Sequence, residues 1–382
     1  MGIKEMLLRE DFYKILRETI VNYAQSVHQT EIRCEYEPFE DSEPWLINTI
    51  LGFVSRTPTH DGVRTYMKSE YNIRGSFIKN IIGKAAVDII ATFPNIGSNK
   101  KVYISKGAFA PSMFIVPQNR SIRFYDYEDG TVDCMVKAGF TRKYFDNQTQ
   151  FRKKYQYDFL NPMTLSGDGW FQEKILIGHP LIRTTNEALF KKSTENALRY
   201  LRTIAKDTIE WISAKDYVSE ISQAALRKIQ IAEKRKNIKM AETARFLIKM
   251  ACDFTRTLDK EIPTYMSHGD FQAGNIWTVP NGKTLIYDWE TAGTRSIWYD
   301  SATLCYSLRR TFGWSILLKD KEMDKLKLCI PQGVDIQISK LEIVGILLLE
   351  DMLFYLDDML ELPQDWGSDI FDRFIESIKE EF

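Results

Sequence analysis

The feature that most limits what this chain can fold into is a strand-rich island, residues 265 to 289, set inside a second half that otherwise has helical periodicity. The stretch YMSHGDFQAGNIWTVPNGKTLIYDWE carries Asn281-Gly282 between apolar-rich runs. That dipeptide favours a two-residue type I′ hairpin, because both central residues must take positive φ. A turn centred between Asn281 and Gly282 sets Asn275 opposite Asp288, and directly opposed residues have Cβ atoms ~4.5 to 5.5 Å apart. An amide oxygen and a carboxylate then converge at the open end of the hairpin. Two hard oxygen donors suit Mg²⁺, which takes one or two carboxylates from protein and fills its shell with water and phosphate oxygens. Asp270, joined to Asn275 by a short loop containing Gly274, brings a third polar group to the same mouth. A carboxylate there can orient an attacking hydroxyl and accept its proton in phosphoryl transfer. A surface hairpin with polar ends and a turn capped by Asp270 is the bland alternative.

The rest of the chain supplies the setting. At ~150 residues per domain, 382 residues suggest two to three compact units. Residues 1 to 92 are expected to form an N-terminal helical extension, with Leu7, Phe12, Ile15, Leu16 and Ile20 at helical spacing. From about 99 to 139 the pattern changes to short β-like runs, KVYIS, MFIV, SIRFYDY and TVDCMVKAG, which predict a small antiparallel sheet. Residues 185 to 258 lack Gly and Pro and read as helix. Sheet first and helices later predict an α+β fold with two lobes. The boundaries are 1–92 for the extension, 93–178 for the sheet lobe with its linker, and 179–382 for the helical lobe.

Composition excludes several function classes. Lys+Arg 51 against Asp+Glu 52 leaves no basic surface of the kind nucleic-acid binding needs. The longest apolar run found in the second half, Ile343 to Leu349, is far short of the ~20 residues of a membrane span. The N-terminus has no signal-peptide apolar stretch, so a cytoplasmic location is expected. Five scattered cysteines without a C-x-x-C pair read as reduced thiols, and four dispersed histidines make a zinc hydrolase a poor fit.

HGDFQAGN at 268 to 275, followed by IYDWE at 286 to 290, resembles the signature of the aminoglycoside phosphotransferase and choline kinase family, in both residues and spacing. The resemblance covers residues 99 to 310 and implies a bilobal protein-kinase-like fold. It implies a kinase that moves the γ-phosphate of ATP or GTP to a hydroxyl with the help of Mg²⁺. Within it, Asp270 resembles the catalytic base, His268 the residue bracing that loop, and Asn275 and Asp288 the metal ligands. Glu290, expected two residues along the same strand face, is a candidate for a second metal or the acceptor. Lys137, at the end of TVDCMVKAG, resembles the lysine that steadies the non-transferred phosphates. The loop KGAFAPS, between the first two strands of the predicted sheet, would cover the phosphates. Glu173, Lys174 and Ile175 resemble the linker whose backbone meets the nucleotide base. Asp300 in WYD matches a structural aspartate of the family. The sequence departs from the pattern after Lys137, where no Glu between 138 and 157 can partner it.

Asp-Trp-Glu in place of Asp-Phe-Gly, and no Ala-Pro-Glu segment, favour a small-molecule acceptor over a protein. Sugars, polyols and glycan ends lead, partly because the long extension resembles kinases that modify surface glycans. Aminoglycosides or choline-type amino alcohols are the alternative, with acids of the helix around Glu350 and Asp351 as cation contacts and Trp298, Tyr299 or Trp366 as stacking partners. A non-catalytic pseudokinase serving as a binding module is the rival from another class. The basic run from Arg227 to Lys239 reads as a solvated helix face, or as a peripheral contact with an anionic membrane.

Overall fold

The computed structural model describes residues 2–56, 59–70, 77–93, 96, 100–234, 238–310, 312–360 and 378. Trp366 therefore lies outside the described residues. The chain divides into two compact units, Met1–Ser193 with Trp277–Tyr287, and Thr194–Ile276 with Asp288–Phe382.

The first unit opens with helices α1 (Ile3–Arg9) and α2 (Phe12–His28). Asp11 caps α2 by accepting from the Lys14 N–H, and Phe12, Leu16, Ile20 and Tyr23 form its buried stripe. Strands β1 (Cys34–Glu35), β2 (Ser42–Asn48) and β3 (Phe53–Arg56) come next, then helices α3 (Asp61–Glu70) and α4 (Phe77–Thr92). Four strands follow: β4 (Lys101–Ser105), β5 (Met113–Pro117), β6 (Ser121–Asp126) and β7 (Thr131–Val136). Helix α5 (Lys143–Lys154), strands β8 (Met163–Gly167) and β9 (Trp170–Lys174), and the short β10 (His179–Pro180) complete the run. The first nine strands make one sheet in the order β1-β4-β2-β3-β5-β6-β7-β9-β8.

Both faces of this sheet are covered. Ile122, Phe124 and Met135 point to α1 and α2, where Tyr23 stacks on Phe124. On the other face, Phe114, Tyr125 and Val132 pack with Val63 and Met67 of α3 and Val87 of α4. Further along that face, Cys134 and Phe171 meet Phe145 of α5.

The expected extension over 1–92 is corrected by this arrangement, because β1, β2 and β3 are integral to the sheet and lie in the same unit as the strands that follow. A strand buried on both faces loses its alternation, and Trp45-Leu46-Ile47 and Phe53-Val54 are short continuous apolar runs that periodicity cannot tell from helix. The role of KGAFAPS also changes. β4 pairs with β1 and β2, whereas β5 pairs with β3 and β6. The segment 106–112 therefore crosses two strands instead of closing a hairpin.

Helix α6 (Glu187–Thr208) leads into the second unit, which holds β11 (Glu210–Ser213), α7 (Ala214–Lys234), α8 (Ile238–Phe254) and β12 (Glu261–Ser267). The hairpin strands β13 (Ile276–Thr278) and β14 (Thr284–Ile286) follow, then β15 (Gly293–Ser296), α9 (Tyr299–Cys305), α10 (Gly313–Lys319) and α11 (Lys340–Leu360). β11, β12 and β15 form a small antiparallel sheet. Helix α11 packs on α7 and α8 and is buried on nearly every side from Ile343 to Leu349, as an all-round apolar helix must be. Gly345 is required at the closest approach, since a Cβ there would stand 2.9 Å from the Ala251 carbonyl oxygen of α8. The α+β class read from the order of runs is the observed one. Among the described residues no helix is long and apolar enough to cross a membrane.

Candidate phosphotransfer site

In the second unit β12 runs straight into Ser267-His268-Gly269-Asp270, and the backbone of this loop is clamped by one buried carboxylate. Asp300, in the first turn of α9, accepts the His268 N–H at 2.7 Å, the Gly269 N–H at 3.0 Å and the Tyr265 hydroxyl at 2.5 Å. Gly269 sits at φ +85°, and a Cβ on it would lie 2.3 Å from the Thr291 carbonyl oxygen, so only glycine can make the bend. His268 is fully buried, packed beside Trp289 and Phe271. Burial pushes its imidazole down to about 4, against the pull of Asp300 and Asp270. It is thus neutral near pH 7, and its Nδ1 accepts the Asp270 N–H at 3.3 Å. That bond ties the imidazole to the backbone of the loop.

Asp270 is held on three sides. Its carboxylate accepts from Arg309 Nε at 3.0 Å, Gln272 Nε2 at 2.9 Å and Asn275 Nδ2 at 3.2 Å. Burial pushes the carboxyl up, yet the charge of Arg309 and the bonds from Gln272 and Arg309 outweigh it and hold the group below the ordinary carboxylate range. Arg309 is the residue that sequence reading missed. Its guanidinium also donates to the Gly269 carbonyl at 3.0 Å, to the Tyr299 hydroxyl at 2.7 Å and to Asp351, while it lies over the ring of Phe354. Arg309 stands 39 residues from Asp270 in the chain with no motif around it, so no local signal marked it.

Asn275 donates both to the Asp270 carbonyl at 2.8 Å and to its carboxylate. With the amide nitrogen turned to Asp270, the carbonyl oxygen is what Asn275 offers elsewhere. Asp288 adopts a left-handed backbone, φ 65° and ψ 63°, a conformation that costs a non-glycine residue about 1 kcal/mol and that clusters at functional sites. Among the described residues no group of three or more His, Cys, Asp or Glu gathers to hold a metal. An amide oxygen with one or two carboxylates fits Mg²⁺ used with phosphate oxygens, and does not fit an ion that needs an all-protein cage.

The predicted hairpin register needs correction. The Val279 N–H bonds to Lys283 O at 3.1 Å and the Gly282 N–H to Val279 O at 2.9 Å, with Gly282 at φ +75°. This is a three-residue loop closed by a glycine bulge. Pro280, with φ fixed near −65°, takes the second seat of a type I turn, which shifts pairing by one residue, so that Asn275 is no longer directly opposite Asp288. Glu290 is corrected too. β14 ends at Ile286 and residues Trp289–Thr291 form a 3₁₀ turn, so the two-residue strand period does not relate Glu290 to Asp288.

In the first unit Lys137 is 1% exposed on the α1 and α2 side of the sheet, and its ammonium donates to Glu10 at 2.5 Å and meets the Met6 sulfur. Burial lowers its pKa to about 8, with Glu10 opposing the shift. The partner missing from residues 138–157 is thus supplied by the C-cap of α1. On the α5 side β7 presents Val132 and Cys134, and the cations there include Arg123 of β6 and Arg152 of α5. Glu173 is fully buried between Arg123 at 3.0 Å and Arg152 at 2.7 Å, and its carboxylate also accepts from Tyr287. Lys174 O accepts from Asn161, the Ile175 N–H donates to Gly130 O, and the Ile175 side chain packs against the cluster that includes α3 and α4. The linker is therefore engaged within its own unit.

No known protein-family model and no curated protein matches the sequence. The chain is similar to solved structures of small-molecule kinases. One is an ethanolamine kinase of Plasmodium vivax, at 11% identity over 83% of this chain and 92% of that one, with a TM-score of 0.48. Another is a choline kinase of Streptococcus pneumoniae, at 14% identity over 72% and 92% of the two chains, TM-score 0.42. A third is an aminoglycoside phosphotransferase of Streptomyces rimosus, at 13% identity over 63% and 92%, TM-score 0.42.

Proposed function

We propose that this chain is a Mg²⁺-dependent phosphotransferase that moves the γ-phosphate of ATP or GTP to a hydroxyl of a small molecule, with a sugar, polyol or glycan end as the leading acceptor. The observation that carries the reading is the locked His268–Asn275 loop, in which Asp300 fixes the backbone while Arg309 and Asn275 aim an ionised Asp270. Asp270 orients the acceptor hydroxyl and takes its proton as the oxygen–phosphorus bond forms and the nucleoside diphosphate departs. Because its pKa lies low, orientation is the larger part of that work and proton acceptance comes late. Asn275 and Asp288 would hold the metal, which supplies neutralisation of phosphate charge. His268 keeps the loop in place without carrying a proton.

Release of nucleoside diphosphate, followed across panels of sugars, polyols, glycan fragments and amino alcohols, tests the reading. One acceptor should raise turnover, and Asp270→Asn should lower it roughly a hundred- to ten-thousand-fold. No turnover with any acceptor, together with intact nucleotide binding, would instead support the second reading, a binding module without catalysis. The enclosure of Lys137 with Glu10 is the observation that favours that rival, because a lysine serving phosphates would have to be reached by them.

A further inference from the structure

The outer face of α4 carries apolar side chains that nothing in the chain's own described residues covers. Val87, Ile90 and Ala91 turn inward, and Val87 joins the cluster with Phe114 and Val132. On the opposite side Ile78, Ile82, Ile89 and Phe93 are 70%, 62%, 52% and 61% exposed, with Ile81 at 54% between them. At 3.6 residues per turn these five side chains form one stripe about a third of the helix circumference wide. Phe93 continues the last turn, its N–H bonding to Ile89 O at 2.8 Å.

The charges around the stripe select its occupant. Lys79 and Lys84 are exposed and flank it on opposite edges, and the acid on this helix, Asp88, is paired with Lys68 of α3 at 2.6 Å. The rim is therefore cationic. A helix of 16 residues is about 24 Å long, so the stripe offers on the order of 250 Å², well under the ~800 Å² per partner of a stable protein interface. A bilayer surface needs much less, because an amphipathic helix lies in the headgroup region with its apolar side chains buried ~5 to 10 Å deep and its lysines among anionic headgroups.

We infer that α4 is a docking face for an anionic lipid surface. It holds the protein in the plane of the membrane without spanning it. In the basic run at 227–239, Lys228 is paired with Asp357, and residues 235–237 lie outside the described residues.

The test is co-sedimentation of the full chain with phosphatidylcholine vesicles, with and without phosphatidylglycerol, at low and high salt. Binding should require phosphatidylglycerol, weaken with salt, and fall about tenfold or more in Ile82→Asp/Ile89→Asp. Lys79→Glu/Lys84→Glu, which leaves the apolar stripe and the inward face untouched, should fall by a similar factor while its unfolding temperature matches wild type. It keeps the inference testable if the isoleucine variant misfolds. Absence of binding to either vesicle, or binding that survives the lysine reversal, would overturn the inference. So would a dimer in light scattering that dissociates in Ile82→Asp/Ile89→Asp, which would assign the face to a second copy of the chain.

Discussion

Arg309 shows how a single side chain sets both the charge and the position of the proposed base. Its fork joins Asp270, Asp351, Tyr299 and the Gly269 carbonyl inside the second unit. Removing one member of a buried ion network leaves uncompensated charge, at a cost of about 3 to 5 kcal/mol. Arg309→Met should lose stability of that order in urea unfolding. If it is folded enough to assay, the acid limb of its pH–rate profile should move up, because the Arg309 charge is what lowers the Asp270 pKa. An unmoved limb would mean that Asp270 is not the titrating group. Gly269→Ala should lose at least about 2 kcal/mol, since the new Cβ meets backbone at 2.3 Å with φ at +85°. Lys137→Met tests the corrected assignment. It should lower stability by removing one of the two buried cations that Glu10 pairs with, Arg9 being the other, and leave nucleotide affinity where it was, whereas a fall in affinity with stability unchanged would restore Lys137 to the phosphates. Lys137 also carries a pH signature. With a folded pKa of about 8, below its ordinary value of 10.5, the unfolded chain binds more protons between those limits, so this group makes stability rise with pH across that window.

The pairing of α11 with β15 at the element scale rests on Glu350, which is 3% exposed and accepts from the Ser296 N–H, the Ser296 hydroxyl and the Tyr217 hydroxyl. Burial lifts its carboxyl to about 7, against those hydrogen bonds. The native state then holds a proton that the unfolded chain has released between 4.5 and about 7, so this group makes stability fall as pH rises through that range. Glu350→Gln should flatten that slope in urea titrations at successive pH values, and an unchanged slope would reject the assignment. Glu350 is thus taken up by Ser296 and Tyr217, and Asp351 by Tyr299, Trp314 and Arg309, so both acids suggested as cation contacts are engaged within the second unit. Elements also mark where sequence reading stops. The island at 265 to 289 was legible because its signals are local: an Asn-Gly turn between apolar runs and polar residues at fixed spacing. The loop register was one residue off because Pro280 claims the corner of the turn. β2 and β3 were hidden by burial on both faces. Glu10 and Arg309 were invisible for a different reason, since their partners lie 127 and 39 residues away and no periodicity reports a long-range ion pair.

At the scale of the whole molecule, the order of sheet and helical runs was enough to give the α+β class, and the described chain divides into two compact units. The division is subtler than three consecutive segments. Trp277–Tyr287 belongs with the first unit, while Asn275 and Asp288, at either end of that hairpin, belong with the second. The central claim is that these two residues hold the metal of a nucleotide site and that Asp270 serves the acceptor. Thermal unfolding of wild type, Asp288→Ala and Asp270→Ala with ATP or GTP, each with and without Mg²⁺, tests it directly. Ligand at ~100 times its dissociation constant adds about 2.7 kcal/mol to stability. The account predicts a Mg²⁺-dependent upward shift that disappears in Asp288→Ala and persists in Asp270→Ala, and a folded wild type that shows no shift with either nucleotide at millimolar concentration would contradict it.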